Sequence, residues 1–540
     1  MKLPSMKYSD RITKSKQIKF GGLNQAAGAK DGELRDMMNL SSDDSPVMAT
    51  RKKRMFLQSL SAPGGLYSWK QLCWVDGTHF YYDGVVKGTV TQGEKTFASI
   101  GPHIVIFPDK CCFNVDTGEF KSMESTWSGK RVTFTNGLRY EEDAAANTIF
   151  CEGVNWEDYF QPGDGVEISG CTVHPENNIS AIIREIDGER MYFSENIFSL
   201  GGDGTEEYTE ESALSIRRSV PNLKYVCEHE NRLWGCDDTT IYASQPGDIF
   251  NWNVFDGLDS DAWALTPGSV GAFTGCVSYR GYVTFFKEDH IYRVYGSIPS
   301  NFEVVDSATL GLLPGNAKSL SIAGETLFYM SRTGIMAYTG GVPQPISQAF
   351  AGERFSNAVG GSDGLKYYVS MQDGAGTWSM YVYDTQHGLW HKEDHTRVLN
   401  FAWWDGNLFY LNSLGEIWIT GNIHEPPEGV SDEPQIEWFA EFADFTDEDP
   451  NKKGVSKIQI RLDLDEGAEV SVDIQFDSDG VWRPVRRIVS EGSKRSYHLP
   501  IIPRRCDHYK LRLSGINGCR IYSMVRESYS GSETRSLPRR

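Results

Sequence analysis

Over most of the chain, apolar and polar residues alternate in short runs separated by turns. The segment Arg232–Ser244, RLWGCDDTTIYAS, shows the unit: an aromatic-apolar run, a polar knot at Asp237–Thr240, and a second run opening on Ile241. Similar units begin at Tyr282 (YVTFFKEDHIYRV), Thr326 (TLFYMSRTGIMAY) and Asn407 (NLFYLNSLGEIWIT). Weaker ones begin at Thr78 and His103, and a longer hairpin begins at Leu365. Four units are preceded by a turn, at His229-Glu230-Asn231, Arg280-Gly281, Ala323-Gly324-Glu325 and Asp405-Gly406. Alternation at period two between such turns predicts antiparallel strands. In the first three units Ile241, Ile291 and Ile335 stand nine residues after the first residue; in the fourth, Ile417 stands ten after it. All four are expected at equivalent, buried places in the third strand of successive units, each contributing about 1.5–3 kcal/mol.

A repeat of roughly 40–50 residues, each holding several short strands, is the signature of β-propeller blades. A blade cannot cover both of its faces alone, so neighbours must pack around an axis. The fold expected is all-β: a six- or seven-bladed β-propeller with an inserted small β-barrel and a C-terminal β-sandwich. The rival arrangement, unrelated meanders or two sandwiches, does not account for the even spacing.

The gap from Thr78 to His103 is too short to be regular, and the spacing is far too long between His103 and Arg232. The excess, about 131–221, carries YFQPGDGVEISG, NNISAIIREIDGERMYFSE and an acidic loop GGDGTEEYTEES. Short strands between Pro-Gly-Asp and Asp-Gly turns predict a small β domain inserted at a loop tip, where insertions are tolerated. The propeller then occupies 51–130 and 222–424, after an N-terminal arm and first strand at 1–50. An acidic linker is expected at 425–450, since Glu425–Asp449 holds ten acidic residues and no basic one. Strict alternation over 451–530 predicts the sandwich, and 531–540 a flexible tail.

Composition narrows the function classes. The formal charge of −20 repels nucleic acid phosphates instead of gripping them. Ten cysteines are scattered without a CxxC pair, as expected of free thiols from a reducing compartment. The start of the chain is basic without an apolar core, so no secretory signal is expected, and no membrane anchor. No catalytic, cofactor-binding or metal-binding residue is assigned, no cofactor is expected, and the chain is read as a non-enzyme. YDTQHGLW departs from an Asp-box, because too many residues separate Asp384 from Gly388; a plain turn is expected there. Asp477-Ser478-Asp479-Gly480 and Asp444–Asp449 lack the spacing of a calcium loop. His387, His391 and His395 are expected at the surface.

Three passages resemble a family: FGGLNQAAGAKDGELRDMMNLSSDDSPVMATRKKR near the start, NRLWGCDDTTIYASQPGDIFNWNVFDG in the middle, and LPIIPRRCDHYKLRLSG with CRIYSM near the end. The chain resembles bacteriophage and prophage packaged-DNA stabilisation proteins, similar in architecture to the propeller-bearing nozzle or hub proteins of short-tailed phages. The resemblance implies a virion component made in the host cytoplasm. It implies a homo-oligomeric ring, usually of six copies, with a portal or adaptor tier above and tail fibre or tip proteins nearby. Double-stranded DNA would pass through the centre without specific binding. The run Arg51-Lys52-Lys53-Arg54 is expected to pair with acidic surfaces such as Glu425–Asp449, and the N-terminal arm and sandwich to contact adjoining tiers. The alternatives are a glycan-binding or glycan-degrading tail propeller (a receptor-binding protein or depolymerase), and a bacterial scaffold propeller.

Overall fold

The computed structural model describes residues 11–530 apart from 142–143, 194–196, 203–206, 256, 422, 447–451, 491–494 and 503. The expected tail at 531–540 and most of the Asp444–Asp449 cluster lie outside the described residues. No described helix is long and apolar enough to cross a membrane.

The repeat folds as antiparallel meanders. Six four-stranded sheets span 63–89, 96–122, 225–265, 275–308, 321–345 and 356–392, and a seventh is built on 398–419; they are numbered meanders 1 to 7. Two-residue turns join the first and second strands, and where both central residues lie at positive φ they match the strand twist. Glu230-Asn231, Arg280-Gly281, Gly324-Glu325 and Asp405-Gly406 all do so.

The isoleucine register holds in all four units. Ile241 pairs with Cys236, Ile291 with Phe286, Ile335 with Met330 and Ile417 with Leu411. Each partner stands at the same offset from the start of the second strand, and all four isoleucines are fully buried. The unit at Thr78 was expected at that second-strand position, but it falls on the third strand; the second strand of meander 1 is Gln71–Asp76. Its HFYY run has the alternation of a repeat start but follows the strand pair Pro63–Trp69 and Gln71–Asp76.

Meander 7 takes its fourth strand from far away. Met55–Ser59 pairs with Glu416–Ile419, and Phe56 meets Trp418 edge-on at 5.3 Å.

Contacts divide the chain into two compact units, 61–317 and a second formed by 1–60 with 318–540. Meanders 1 to 4 belong to the first, with the first strands of successive meanders side by side. Between meanders 2 and 3 the chain leaves to form an eight-stranded path running from Ser125–Gly129 to Glu207–Glu210. All eight strands feed one core that includes Trp127, Phe134, Ile149, Ile168, Ile183 and Ile216. Ser125 pairs with Arg218, so the ends of this segment meet. That pairing moves its start from the expected 131 to 125, and its end from 221 to 218. Deleting 125–218 behind a short Gly-Ser bridge is expected to leave meanders 1 to 4 folded by circular dichroism and limited proteolysis, because the host strands need not move to close the gap. Loss of all folded protein would make the segment part of their core.

The second unit holds meanders 5 to 7 and a two-sheet sandwich. One sheet orders Leu34–Met38, Glu437–Phe442, Tyr509–Ile516, Glu469–Phe476 and Arg483–Val489. The other joins Arg11–Gln17, Leu40–Ser41, Met48–Thr50, Cys519–Ser530, Lys453–Leu464, Arg495–Leu499 and Arg505–Cys506. The sandwich is therefore woven from both ends of the chain, where 1–50 was expected as an arm and 425–450 as a linker. The acidic stretch misleads because in its strand the charges lie on one face. In Glu437–Phe442 the side chains of Trp438, Ala440 and Phe442 are buried while Glu437 and Glu441 point outward.

Candidate functional site

Within the second unit, the basic run Arg51–Arg54 has both of its arginines buried. Arg54 forks onto two carboxylates, Nη2 to Glu393 Oε2 at 2.5 Å and Nη1 to Asp394 Oδ2 at 2.7 Å, under the ring of Tyr410. Arg51 grips Glu433 with both terminal nitrogens, at 2.7 and 2.8 Å, and donates from Nε to Asn39 Oδ1. Planar guanidinium forks suit such bidentate pairing; a lysine does not. The expected pairing with Glu425–Asp449 thus occurs, but inside one chain instead of between tiers. It ties the N-terminal segment, the end of meander 6 and the acidic stretch into one cluster. Burial alone would raise the Asp394 carboxyl, yet the charge and hydrogen bonds of Arg54 hold it at about 2.

Beside this cluster lies a cavity of about 20 Å³ walled by Ser42, Asp43, Arg51, Lys366, His391 and Glu393, about the size of one water molecule. Lys366 pairs with Asp43. His391 is buried here, not at the surface as expected, because both faces of the strand Leu389–Lys392 are covered at its middle, burying Trp390 and His391 alike; its Nδ1 has no hydrogen-bond partner. Burial and the charge of Lys366 push its pKa down to about 4, against the pull of Asp384 and Asp43. Between pH 6.5 and 4 the unfolded chain therefore takes up a proton that the folded one refuses, and stability falls as pH falls. The loss is about 3 kcal/mol across that window. Urea denaturation at about pH 6.5 and about pH 4.5 is expected to show this slope, and His391→Gln to flatten it. The carboxylates held at about 2, Asp384 and Asp394, act in a lower window.

A wider opening in this unit is a groove of about 490 Å³ along the first strands of meanders 5 to 7. Ile322, Phe401 and Trp403 supply its apolar wall, and 360–364 its backbone edge. Ile322 and Trp403 keep 41% and 46% of their surface exposed, which leaves an aromatic platform open to solvent. Gly361 is required by packing: a Cβ there would stand 2.4 Å from Phe401 Cγ. Asp363 on the wall is committed to its own turn, accepting from Leu365 N and Lys366 N through Oδ1 and from the Tyr368 hydroxyl through Oδ2. The groove can therefore hold a flat ligand, and Asp363 is not free to act as a general base. Trp403-Trp404 directly before the Asp405-Gly406 turn is the sequence signal for it.

The remaining singled-out residues scatter. Asp384 is buried in the turn before Leu389 and accepts from the backbone of Gln386 and His387, as a plain turn requires. His387 bonds Asp384, and His395 bonds Trp378 O; both rings are exposed. Asp477 is drawn toward Asp507 and His508, with ligand atoms within 4.8 Å of one another. Asp479, further along the same turn, faces Arg483 and Arg504 instead. The hydrogen bonds from Asp507 N to Asp477 Oδ1 and between Ser478 Oγ and His508 Nε2 account for that cluster as a braced surface turn.

No protein-family model matches the chain, and no curated protein does. Among solved structures it is similar to BamB from Moraxella catarrhalis, at 9% identity and a TM-score of 0.31, over 70% of this chain and 99% of that one. It is also similar to the N-terminal domain of Nup159, at 7% identity and a TM-score of 0.24, over 75% of this chain and 99% of that one. A third is an oligogalacturonate lyase from Vibrio parahaemolyticus, at 11% identity and a TM-score of 0.23, over 73% of this chain and 99% of that one. Likenesses this faint transfer no activity. The chain is an all-β protein built of propeller-type meanders, as its own strand order shows.

Proposed function

We propose that this chain is a structural subunit of a bacteriophage tail, one copy of a ring around the DNA exit channel that helps retain packaged DNA and conducts it at ejection. In this reading the seven meanders are blades of one seven-bladed propeller and the 125–218 segment is a small barrel carried on it. The observation that supports it most is where the resembling passages go. The first supplies the strands Leu34–Met38, Leu40–Ser41 and Met48–Thr50, and the last supplies Tyr509–Ile516 and Cys519–Ser530. Passages at opposite ends of the chain thus serve one sandwich, as expected if they belong to one architecture. A buried ion cluster fastening that sandwich to meander 6 suits a part that bears mechanical load. The charge of −20 suits a conduit, since each phosphate contact would slow DNA transit. Cryo-EM of tail particles is expected to show a symmetric ring, six copies coaxial with the portal. A peripheral fibre-like position, or nanomolar DNA binding at physiological salt, overturns it.

A second reading, glycan binding, is favoured by the Trp403 groove, where an exposed indole faces a polar backbone edge. Retention on host surface polysaccharide that is lost with Trp403→Ala would support it.

A further inference from the structure

Three of the ten cysteines meet where meanders 3 and 4 pack. Cys227 lies on the strand Tyr225–His229, Cys236 on Arg232–Cys236 and Cys276 on Gly275–Tyr279. The first and third of these strands run side by side, and their register is marked by a bond between His229 Nδ1 and Ser278 Oγ at 3.0 Å. Two residues back along both strands, on the same face, stand Cys227 and Cys276. Cys236 and Cys276 belong to one buried cluster at this seam, and Cys227 packs against it. The surroundings, Trp234, Val283 and Phe285, are buried and apolar. All three cysteines are free; Cys236 and Cys276 are buried and Cys227 is half-buried.

We propose that Cys227 and Cys276 form a disulfide-forming modification site that staples meander 3 to meander 4 when the protein meets a small oxidised disulfide such as oxidised glutathione. The half-buried Cys227 is the point of access. Its thiolate, after losing a proton, attacks one sulfur of the small disulfide and expels the first small thiol, leaving a mixed disulfide on Cys227. The Cys276 thiolate then attacks Cys227 Sγ and expels the second small thiol. One S–S bond is broken and one formed, the protein gives up two electrons and two protons, and the small disulfide is reduced to two thiols. The Cys276 thiol and burial push the Cys227 thiol up; the Cys227 thiol pulls that of Cys276 down, but Cys236 and burial outweigh it, so both stay protonated. The reaction is therefore expected over hours, at a rate that rises with pH as the thiolate fraction grows. Cys236, which also adjoins Cys276, is the competing partner. The chemistry does not depend on the proposed tail function.

The test uses the full chain incubated with oxidised glutathione at mildly alkaline pH, then denatured in acid and titrated for thiols. The ten thiols are expected to fall by two, with a 227–276 cross-linked peptide in the unreduced digest, reversed by dithiothreitol. Cys276→Ser is expected to lose the cross-link, and Cys236→Ser to keep it. All ten thiols surviving prolonged oxidation of the wild type overturns the proposal. So does a cross-link that survives in Cys276→Ser, or one that maps to Cys236 in the wild type. Because Cys276→Ser is a buried change, near-UV circular dichroism checks its fold, and Cys227→Ala, at the half-buried position, tests the same bond independently.

Discussion

Replacing Arg54 with alanine is expected to destabilise the unit formed by 1–60 and 318–540 by about 3–5 kcal/mol, because a buried ion pair that loses one partner leaves the other charge uncompensated. Here two carboxylates, Glu393 and Asp394, lose their closest cation, and among the described residues only Glu393 keeps a second one, Arg51 Nε at 4.0 Å. Their environment offers little water: the Arg54 side chain is 4% exposed and that of Glu393 10%. Arg54→Lys keeps the charge but not the fork, so it should fall between alanine and wild type. The triple change Arg54→Met, Glu393→Gln, Asp394→Asn removes all three charges together and is expected to recover much of the loss. Urea denaturation followed by near-UV circular dichroism reads the series. A loss below about 1 kcal/mol for Arg54→Ala, the level of an exposed pair, would mean that the cluster is solvated and does not fasten the sandwich.

A chain that begins at Ser61 is expected to lose its soluble fold in the same unit. It would lack Met55–Ser59, the fourth strand of meander 7, and the strands of 11–50 that complete both sandwich sheets. Glu416–Ile419 would become an open edge, and open hydrophobic edges pair with other chains. Co-expressing residues 1–60 should restore soluble protein by supplying the missing strands in trans. A truncated chain that is soluble and unfolds cooperatively would show that meander 7 and the sandwich stand without the N-terminal strands. The proposed staple lies in 61–317 and is not touched by either experiment.

These two effects concern contacts that no local pattern announces. The meanders are legible because a strand's alternation and a two-residue turn are written in consecutive residues. Asp405-Gly406 takes positive φ at both positions, the turn sets the pairing of Trp404 with Asn407, and the register then carries Ile417 to its buried place. The same logic runs through Ile241, Ile291 and Ile335. It fails at Thr78, where alternation alone cannot tell a second strand from a third.

The sequence by itself determined the all-β class, the turns, the strand register in the four units that carry the isoleucine and the interruption after meander 2, since each rests on neighbours a few residues apart. Only the tertiary structure decided which distant strands complete a sheet. Met55–Ser59 beside Glu416–Ile419, and Arg11–Gln17 beside Cys519–Ser530, are pairings across most of the chain. Charge misled for the same reason. Glu433 reads as part of a linker and Arg51 as a contact to another tier, and folding brought them into one bidentate pair within the chain. His391, expected outside, was enclosed because both faces of its strand are covered, and Cys227 met Cys276 only when two sheets packed. Local patterns encode which way a side chain points along its own strand; they do not encode what waits on the other side.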